Sequence, residues 1–253
     1  MNVNERRNLL VEFINEHKEV DFASIRGFFP DISEMTIRRD LDYLNQHNRI
    51  VRVLGGAKSV GFLMHSSEDA FLERSISNVE EKQQIAVKAV KLLKPNSCIF
   101  LGSGSTANEF ARVMPDGEYM IVTTGMNCAI ELSTLKTATV VMLGGTVNKN
   151  SYCVNGSLAA DMLDKMSFDL AFLGVSGYIP GKGFCTSVVE DYVLRRKIVE
   201  RSSCNVILMD SGKIGRRSIY TFAHEREIDY LISDNKLDFS VQESLTNAGI
   251  TVL

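Results

Sequence analysis

Two groups of residues in this 253-residue chain have the types and spacing to do chemistry. The first is Ser33-Glu34-Met35-Thr36-Ile37-Arg38-Arg39-Asp40-Leu41, followed by Arg52-Val53-Leu54-Gly55-Gly56-Ala57. Ser33 suits an N-cap, because its hydroxyl can accept a bond from a free amide of the first helical turn. Ile37, Leu41 and Leu44 recur at helical spacing and would face a core. On that wheel Met35, Thr36, Arg39 and Tyr43 point away from the core, and Arg38 lies on its flank. One arginine there can form paired hydrogen bonds with a guanine edge while another holds a backbone phosphate. The candidate DNA-contacting residues are therefore Ser33, Thr36, Arg38, Arg39 and Tyr43, with Arg52 and Lys58 from the segment beyond.

The second group is Gly102-Ser103-Gly104-Ser105-Thr106, placed after an apolar run and at the start of a helical pattern. Glycines let the backbone approach closely, amides at a helix start point outward, and hydroxyls add donors, so phosphate is the natural guest. The alternative is a tight strand-to-helix turn that holds nothing. Similar loops recur: Thr123-Thr124-Gly125-Met126-Asn127, Gly144-Gly145-Thr146 and Asn155-Gly156-Ser157. Each alone is more often a turn than a site, and their force lies in converging on one sheet edge. Asp210-Ser211-Gly212-Lys213 would bring an acid and a cation to that edge. Lys213 could neutralise phosphate or meet a sugar oxygen, or be a solvated loop lysine. The candidate effector-binding residues are Ser103, Gly104, Ser105, Thr106, Thr123, Thr124, Gly125, Asn127, Gly144, Gly145, Asp210 and Lys213. Arg195-Arg196-Lys197 reads as a solvated helix face.

The elements that must position these residues follow from periodicity and punctuation. Residues 4–16 read as a helix with Leu9, Leu10, Phe13 and Ile14 on one face. Asp21 would cap a second helix near 22–29, ended by Phe28-Phe29-Pro30 because proline disfavours helical backbone in the residue before it. The recognition helix spans about 33–46, residues 49–53 alternate like a strand, and Gly55-Gly56 is its turn. Three helices and a small β-wing make a winged helix-turn-helix over residues 1–58. Residues 59–76, with Phe62, Leu63, Met64, Phe71 and Leu72 among polar neighbours, read as a linker that packs in part. Ser77-Asn78-Val79-Glu80 looks like a capping box opening a helix to about Leu93.

From there to residue 253, apolar runs alternate with amphipathic helices. The strands are expected at 97–101, 119–123, 139–143, 170–174, 205–209, 230–233 and 250–253. The helices are expected near 105–114, 126–135, 156–166, 187–201 and 239–248. Continuous rather than alternating apolar runs suit strands buried on both faces. The fold class expected is α/β: a winged helix-turn-helix followed by a doubly wound, mostly parallel α/β domain over 77–253.

Composition narrows the function classes. A hydrophobic share of 45% is ample for a core, and the net charge of -3 excludes a bulk basic field as the means of binding. Residues 1–58 hold nine Lys or Arg and nine Asp or Glu, so DNA contact must rest on local clusters. Five scattered cysteines without a paired motif, and four isolated histidines, argue against a disulfide framework and a metal site. The N-terminus does not read as a signal peptide and no apolar run would span a bilayer, so a cytoplasmic protein with no membrane partner is expected.

On the residues quoted, together with Glu81-Lys82, Leu143-Gly144-Gly145, Asp169-Leu170-Ala171-Phe172-Leu173-Gly174 and Asp210–Gly215, the chain resembles the DeoR family of transcriptional regulators over nearly all its length. The resemblance implies a DNA reader joined to a sensor domain, acting as a homo-oligomer. It implies a repressor of a carbohydrate-utilisation operon, whose partners are a double-stranded DNA operator and a phosphorylated sugar. No cofactor is implied. The sensor half is similar in turn to ribose-5-phosphate isomerase, whose phosphate loop Leu101–Asn108 resembles. That enzyme has an acid-rich segment where this chain reads Gly174-Val175-Ser176-Gly177. Moving a proton between sugar carbons needs a positioned base, so catalysis is not expected. The chain also departs from the family at Gly102, where most members carry an acid, and near Thr124, where they carry Asn.

Overall fold

A computed structural model describes residues 3–46, 49–53, 55–59 and 71–253. Leu54, and Phe62, Leu63 and Met64 of the expected linker, lie outside the described residues. The chain divides into two compact units, Met1–Ser67 and Glu68–Leu253.

In the first unit, α1 (Val3–His17), β1 (Glu19–Asp21), α2 (Phe22–Phe28) and α3 (Glu34–Gln46) precede β2 (Ile50–Val53) and β3 (Gly56–Ser59). Leu10, Ile14, Ile25, Ile37, Leu41 and Leu44 meet in one core, so the helical spacing marks the buried face. Burying each such side chain contributes about 1.5–3 kcal/mol. Asp21 caps α2 by accepting a bond from the Ser24 amide at 2.7 Å. That bond holds the Asp21 carboxyl below its usual range. Pro30 stops the helix by forcing Phe29 out of helical backbone. Ser33 Oγ accepts from the Thr36 amide at 3.2 Å, as a cap of α3 should. The sequence reading did not find β1, which buries Val20 alone between two exposed acids. It pairs antiparallel with β3, giving the order β1-β3-β2. Gly56 makes this pairing possible, since a Cβ there would stand 2.1 Å from the Val20 carbonyl oxygen.

The second unit opens with two helices, α4 (Phe71–Ile76) and α5 (Val79–Val90). Next come β4 (Cys98–Leu101), α6 (Ser105–Val113), β5 (Met120–Thr123), α7 (Met126–Leu132) and β6 (Thr139–Met142). A hairpin of β7 (Thr146–Asn148) and β8 (Cys153–Asn155) leads to α8 (Ser157–Leu163), β9 (Leu170–Gly174), β10 (Gly177–Ile179) and β11 (Gly183–Thr186). The chain ends through α9 (Val189–Arg201), β12 (Asn205–Leu208), β13 (Tyr220–Ala223), β14 (Tyr230–Ile232), α10 (Phe239–Asn247) and β15 (Thr251–Val252).

All seven expected strands form, and they join in one parallel sheet in the order β15-β14-β12-β9-β4-β5-β6. Successive side chains of a strand point to opposite faces. Ile99, Leu101, Ile121 and Phe172 accordingly pack with Ile85, Phe110 and Leu132 of α5, α6 and α7. Phe100, Val122 and Leu173 pack with Leu163, Ile198 and Leu245 of α8, α9 and α10. This is a doubly wound α/β layer. The first strand, β4, lies inside the sheet. The chain winds outward through β5 and β6, then returns to lay β9 on the other flank of β4. The gap between the ends of β4 and β9 is the point where winding reverses, and open α/β sheets bind ligands there.

Three local expectations need correction. No capping box opens α5: Asn78 is the N-cap in a left-handed conformation (φ 50°, ψ 44°), and no side-chain cap bond forms. The helix also ends at Val90 rather than Leu93. The stretch expected as linker contains α4. A second small sheet, β10-β11-β13, and the β7–β8 hairpin were not anticipated. No helix among the described residues is long and apolar enough to cross a membrane.

Candidate functional site

In the first unit the candidate DNA-contacting residues occupy the outer side of α3 and the β2–β3 wing. Met35, Arg38, Arg39 and Tyr43 are exposed, and Thr36 is half-buried. Thr36 spends its hydroxyl on Ser33 at 2.9 Å. The Arg38 guanidinium lies over the Phe22 ring at 4.4 Å, which fixes the side chain near the α2 end. Arg7 lies 3.5 Å over the Tyr43 ring. Arg52 is bonded to Asp42, and Lys58 pairs with Glu19 at 2.9 Å. Among the described residues, Arg39 has no carboxylate partner. It stands as the cation of α3 with its guanidinium uncommitted. Asp40, next to it, is 2% exposed and accepts from Arg6 Nε at 2.6 Å and Arg7 Nε at 2.7 Å, fastening α3 to α1.

In the second unit a cavity of about 270 Å³ opens at the reversal of the sheet. Its floor is the loop after β4, where Ser103 and Ser105 are buried and Gly104 takes φ 114°. By helix geometry the amides of Ser105, Thr106 and Ala107 have no acceptor within α6, and they carry its positive dipole end. Lys82 of α5 and Arg74 of α4 stand over that loop, with Arg74 Nη1 3.6 Å from where a Cβ on Gly104 would be. Lys82 is 4% exposed and donates to the carbonyls of Arg74 and Ser77. Burial lowers its proton affinity; Asp210 opposes that effect, while Lys213 and Arg74 reinforce it.

The left-handed Asn78 has a visible reason. Its amide does not cap α5 but donates to Asp210 Oδ1 at 2.9 Å, tying the start of α5 to the end of β12. Asp210 is itself buried. Arg195 corrects the reading of residues 195–197 as a solvated face. It is 6% exposed, pairs with Asp191 at 2.6 Å and donates to the Gly174 carbonyl at the end of β9. The acid four residues earlier, and the apolar Leu194 and Ile198 beside it, were the sequence signal for a buried arginine. Arg74, Asn78, Lys82 and Arg216 also line the cavity and were not anticipated as site residues.

Of the candidate effector residues, Ser103, Gly104, Ser105, Thr106, Asp210 and Lys213 line this cavity together. The others lie elsewhere. Thr123 and Thr124 are buried, and Thr123 Oγ1 accepts from the Gly125 amide at 3.0 Å. Gly125 is wedged between Ser103 and Cys128. Asn127 faces a neighbouring hollow that shares Ser105 with the first. Gly144 packs near Leu158, and Gly145 turns the chain into β7, where a Cβ would meet the Asn155 carbonyl oxygen at 2.4 Å.

The described cysteines are all free, with Cys128, Cys153 and Cys185 buried. Burial pushes the Cys128 thiol up to about 12.

Comparison with known proteins agrees with this two-part layout. Residues 6–61 match the family model of the DeoR-like helix-turn-helix domain, and residues 77–235 that of the DeoR C terminal sensor domain. The chain is similar to the uncharacterized HTH-type transcriptional regulator YulB of Bacillus subtilis (strain 168), 32% identical over 252 residues, covering 100% of this chain and 96% of the relative. It is also similar to the HTH-type transcriptional repressor GlcR of the same organism, 27% identical, covering 98% of this chain and 95% of the relative. Among solved structures, ribose 5-phosphate isomerase A of Methanocaldococcus jannaschii is 21% identical and covers 55% of each chain, with a TM-score of 0.41.

Proposed function

The chain belongs to the DeoR family of DNA-binding transcriptional regulators, and from that premise we propose that it represses a carbohydrate-utilisation operon under the control of a phosphorylated sugar. In this reading it works as a homo-oligomer. Operator DNA meets α3 and the wing, with Arg39 and Arg38 as principal contacts and Thr36, Tyr43, Arg52 and Lys58 around them. The effector sits in the cavity of the second unit.

The observation that carries the effector reading is the cavity's make-up. Free amides at the start of α6, buried hydroxyls and a surround of cations meet where a doubly wound sheet binds ligands. A phosphate on the loop after β4 would answer the dipole of α6, Lys82 and Arg74 together. Binding rather than turnover is the use this lining supports. Asp210 is the one carboxylate among the described lining residues, and Asn78 already occupies one of its oxygens. The loop after β9 offers no acid. This reading therefore assigns no residue of the cavity lining the role of a base for proton transfer.

The test is fluorescence anisotropy of the full chain on duplex from its own upstream region, at one stated salt concentration, with sugar phosphates titrated in. Sequence-specific binding that a sugar phosphate shifts is the expected result. Specific binding unmoved by every phosphorylated sugar would remove the effector half of the reading. Binding no tighter than to scrambled duplex would remove the operator half.

A further inference from the structure

Beside the cavity, and sharing Ser105 with it, lies a second hollow of about 420 Å³. α6 forms one wall. Ser105, Asn108, Glu109 and Arg112 line the hollow, and their spacing puts them on one face of that helix. Asn127 of α7 and Tyr152 of the β7–β8 turn line it too. The Phe71 amide of α4 donates to the Asn150 carbonyl at 2.8 Å, and the Met126 amide to the Tyr152 carbonyl at 2.9 Å. α4, α7 and the hairpin turn are thereby fastened around the hollow.

Asn108 is the residue that needs an occupant. It is 4% exposed, yet its Oδ1 is enclosed with no hydrogen-bond partner among the described residues. An enclosed acceptor left unbonded is costly, so something outside these residues must supply the donor. An anion gains little here. Arg112, the one cation in the described lining, is already bonded to Glu109 at 2.8 Å and to Glu131 at 2.9 Å. A hydroxyl both donates and accepts, so a group bearing several hydroxyls answers Asn108 and Asn127 together. The Phe71 and Tyr152 rings, with centroids 5.7 Å apart, add the apolar surface that the carbon side of such a group requires.

We propose that this hollow binds the uncharged, hydroxyl-bearing body of a sugar or sugar alcohol, with Asn108 and Asn127 as the residues that select among sugars. The shared Ser105 lets one phosphorylated sugar seat its phosphate in the cavity and its carbon chain in the hollow, an arrangement that rests on the phosphate reading given above. A free sugar uses the hollow alone.

The experiment is calorimetric titration of the full chain with glucose, galactose, fructose and glucitol, each free and as its 6-phosphate, with inorganic phosphate as the reference. At least one compound should show a sugar contribution: a free sugar binds, or a sugar phosphate binds about tenfold or more tightly than inorganic phosphate. The first result identifies a free sugar as the ligand, and the second a single effector that spans both sites. In Asn108→Leu, which keeps the branching and removes the acceptor, that contribution should drop about tenfold while inorganic phosphate stays within about twofold of the parent. Asn127→Ala carries the same test from α7 if the first variant does not fold. The proposal is overturned if no free sugar binds and every sugar phosphate only matches inorganic phosphate, for then the hollow holds water alone. It is equally overturned by a sugar contribution that survives in the folded variants. Free-sugar binding without phosphate binding removes the phosphate reading and leaves this one standing. If nothing binds, both fall.

Discussion

Replacing Asp40 by alanine should loosen the first unit far more than an exposed acid could. Its carboxylate is 2% exposed and accepts two charge-assisted bonds, at 2.6 and 2.7 Å, from Arg6 and Arg7. Removing one partner of a buried pair costs about 3–5 kcal/mol, because the opposite charge is left without an answer. Here the two arginine side chains are 12% and 20% exposed and can turn partly to water, so the low end, about 3 kcal/mol, is expected. That is a large share of the roughly 5–15 kcal/mol that holds a domain together. Asp40→Asn keeps one acceptor oxygen and loses the charge, so about 1–2 kcal/mol is expected. Hydrogen exchange followed by mass spectrometry on the full chain reads the effect by segment. Amides of α1 and α3 should exchange about a hundredfold faster in Asp40→Ala, at about 1.4 kcal/mol per decade. Amides of the parallel sheet serve as the internal reference. Exchange of α1 and α3 within about twofold of the parent would show that the buried pair contributes nothing, and the reasoning would be wrong.

Arg39→Ala should weaken operator binding by about 1–3 kcal/mol at matched salt with the helical circular dichroism unchanged; parental affinity in the folded variant would take Arg39 off the DNA surface. Gly56→Ala should break the β1–β3 pairing, since the new Cβ would stand 2.1 Å from a backbone oxygen, and fast exchange at Val20 and Ala57 would reveal it; protected amides there would contradict the close approach. Lys82 holds its proton less firmly than the ordinary 10.5, mainly through burial. The unfolded chain therefore binds more protons between that depressed value and 10.5, so stability should rise with pH across this window. Affinity for inorganic phosphate should fall over the same window as the cavity loses a cation. Urea midpoints and calorimetry at several pH values test both trends, and Lys82→Met should flatten them; curves unaltered by that substitution would mean Lys82 is not the titrating group.

The parallel strands were legible because their apolar runs are unbroken, as in β9 and β12, which are buried along their whole length, although the edge strands β6 and β15 are partly exposed. β10 and β11 were not, because they are short and sit among Gly177, Pro180, Gly181 and Gly183, residues that read as a loop. The turn after β4 was legible from local order alone, a strand, a glycine turn and a helix. Arg74, Asn78 and Lys82 gave no such signal. They come before the sheet in the chain, and only the packing of α4 and α5 brings them to the ends of β4 and β12. The Ser77–Glu80 capping box did not form because the helix starts one residue later, with Asn78 at the N-cap and its side chain bonded to Asp210, distant in sequence. In the first unit α3 was fully legible as a helix, whereas β1 was hidden because one buried valine makes no pattern.

The bracing of the wing has a consequence for how this molecule can be controlled. Asp21 ends β1 in register with Gly56 and also caps α2, and the Phe22 amide donates to the Gly55 carbonyl at 2.8 Å. Asn45 of α3 accepts from the Arg52 amide at 2.9 Å, and Ser59 donates to Asn15 of α1 at 2.5 Å. Wing, α3 and the two helices behind them are thus a single stylus, with its tip cross-tied to its shaft. Such a stylus cannot change its lettering without breaking several ties at once. Under the proposed regulation, an effector would change where the stylus is carried and leave what it reads unaltered.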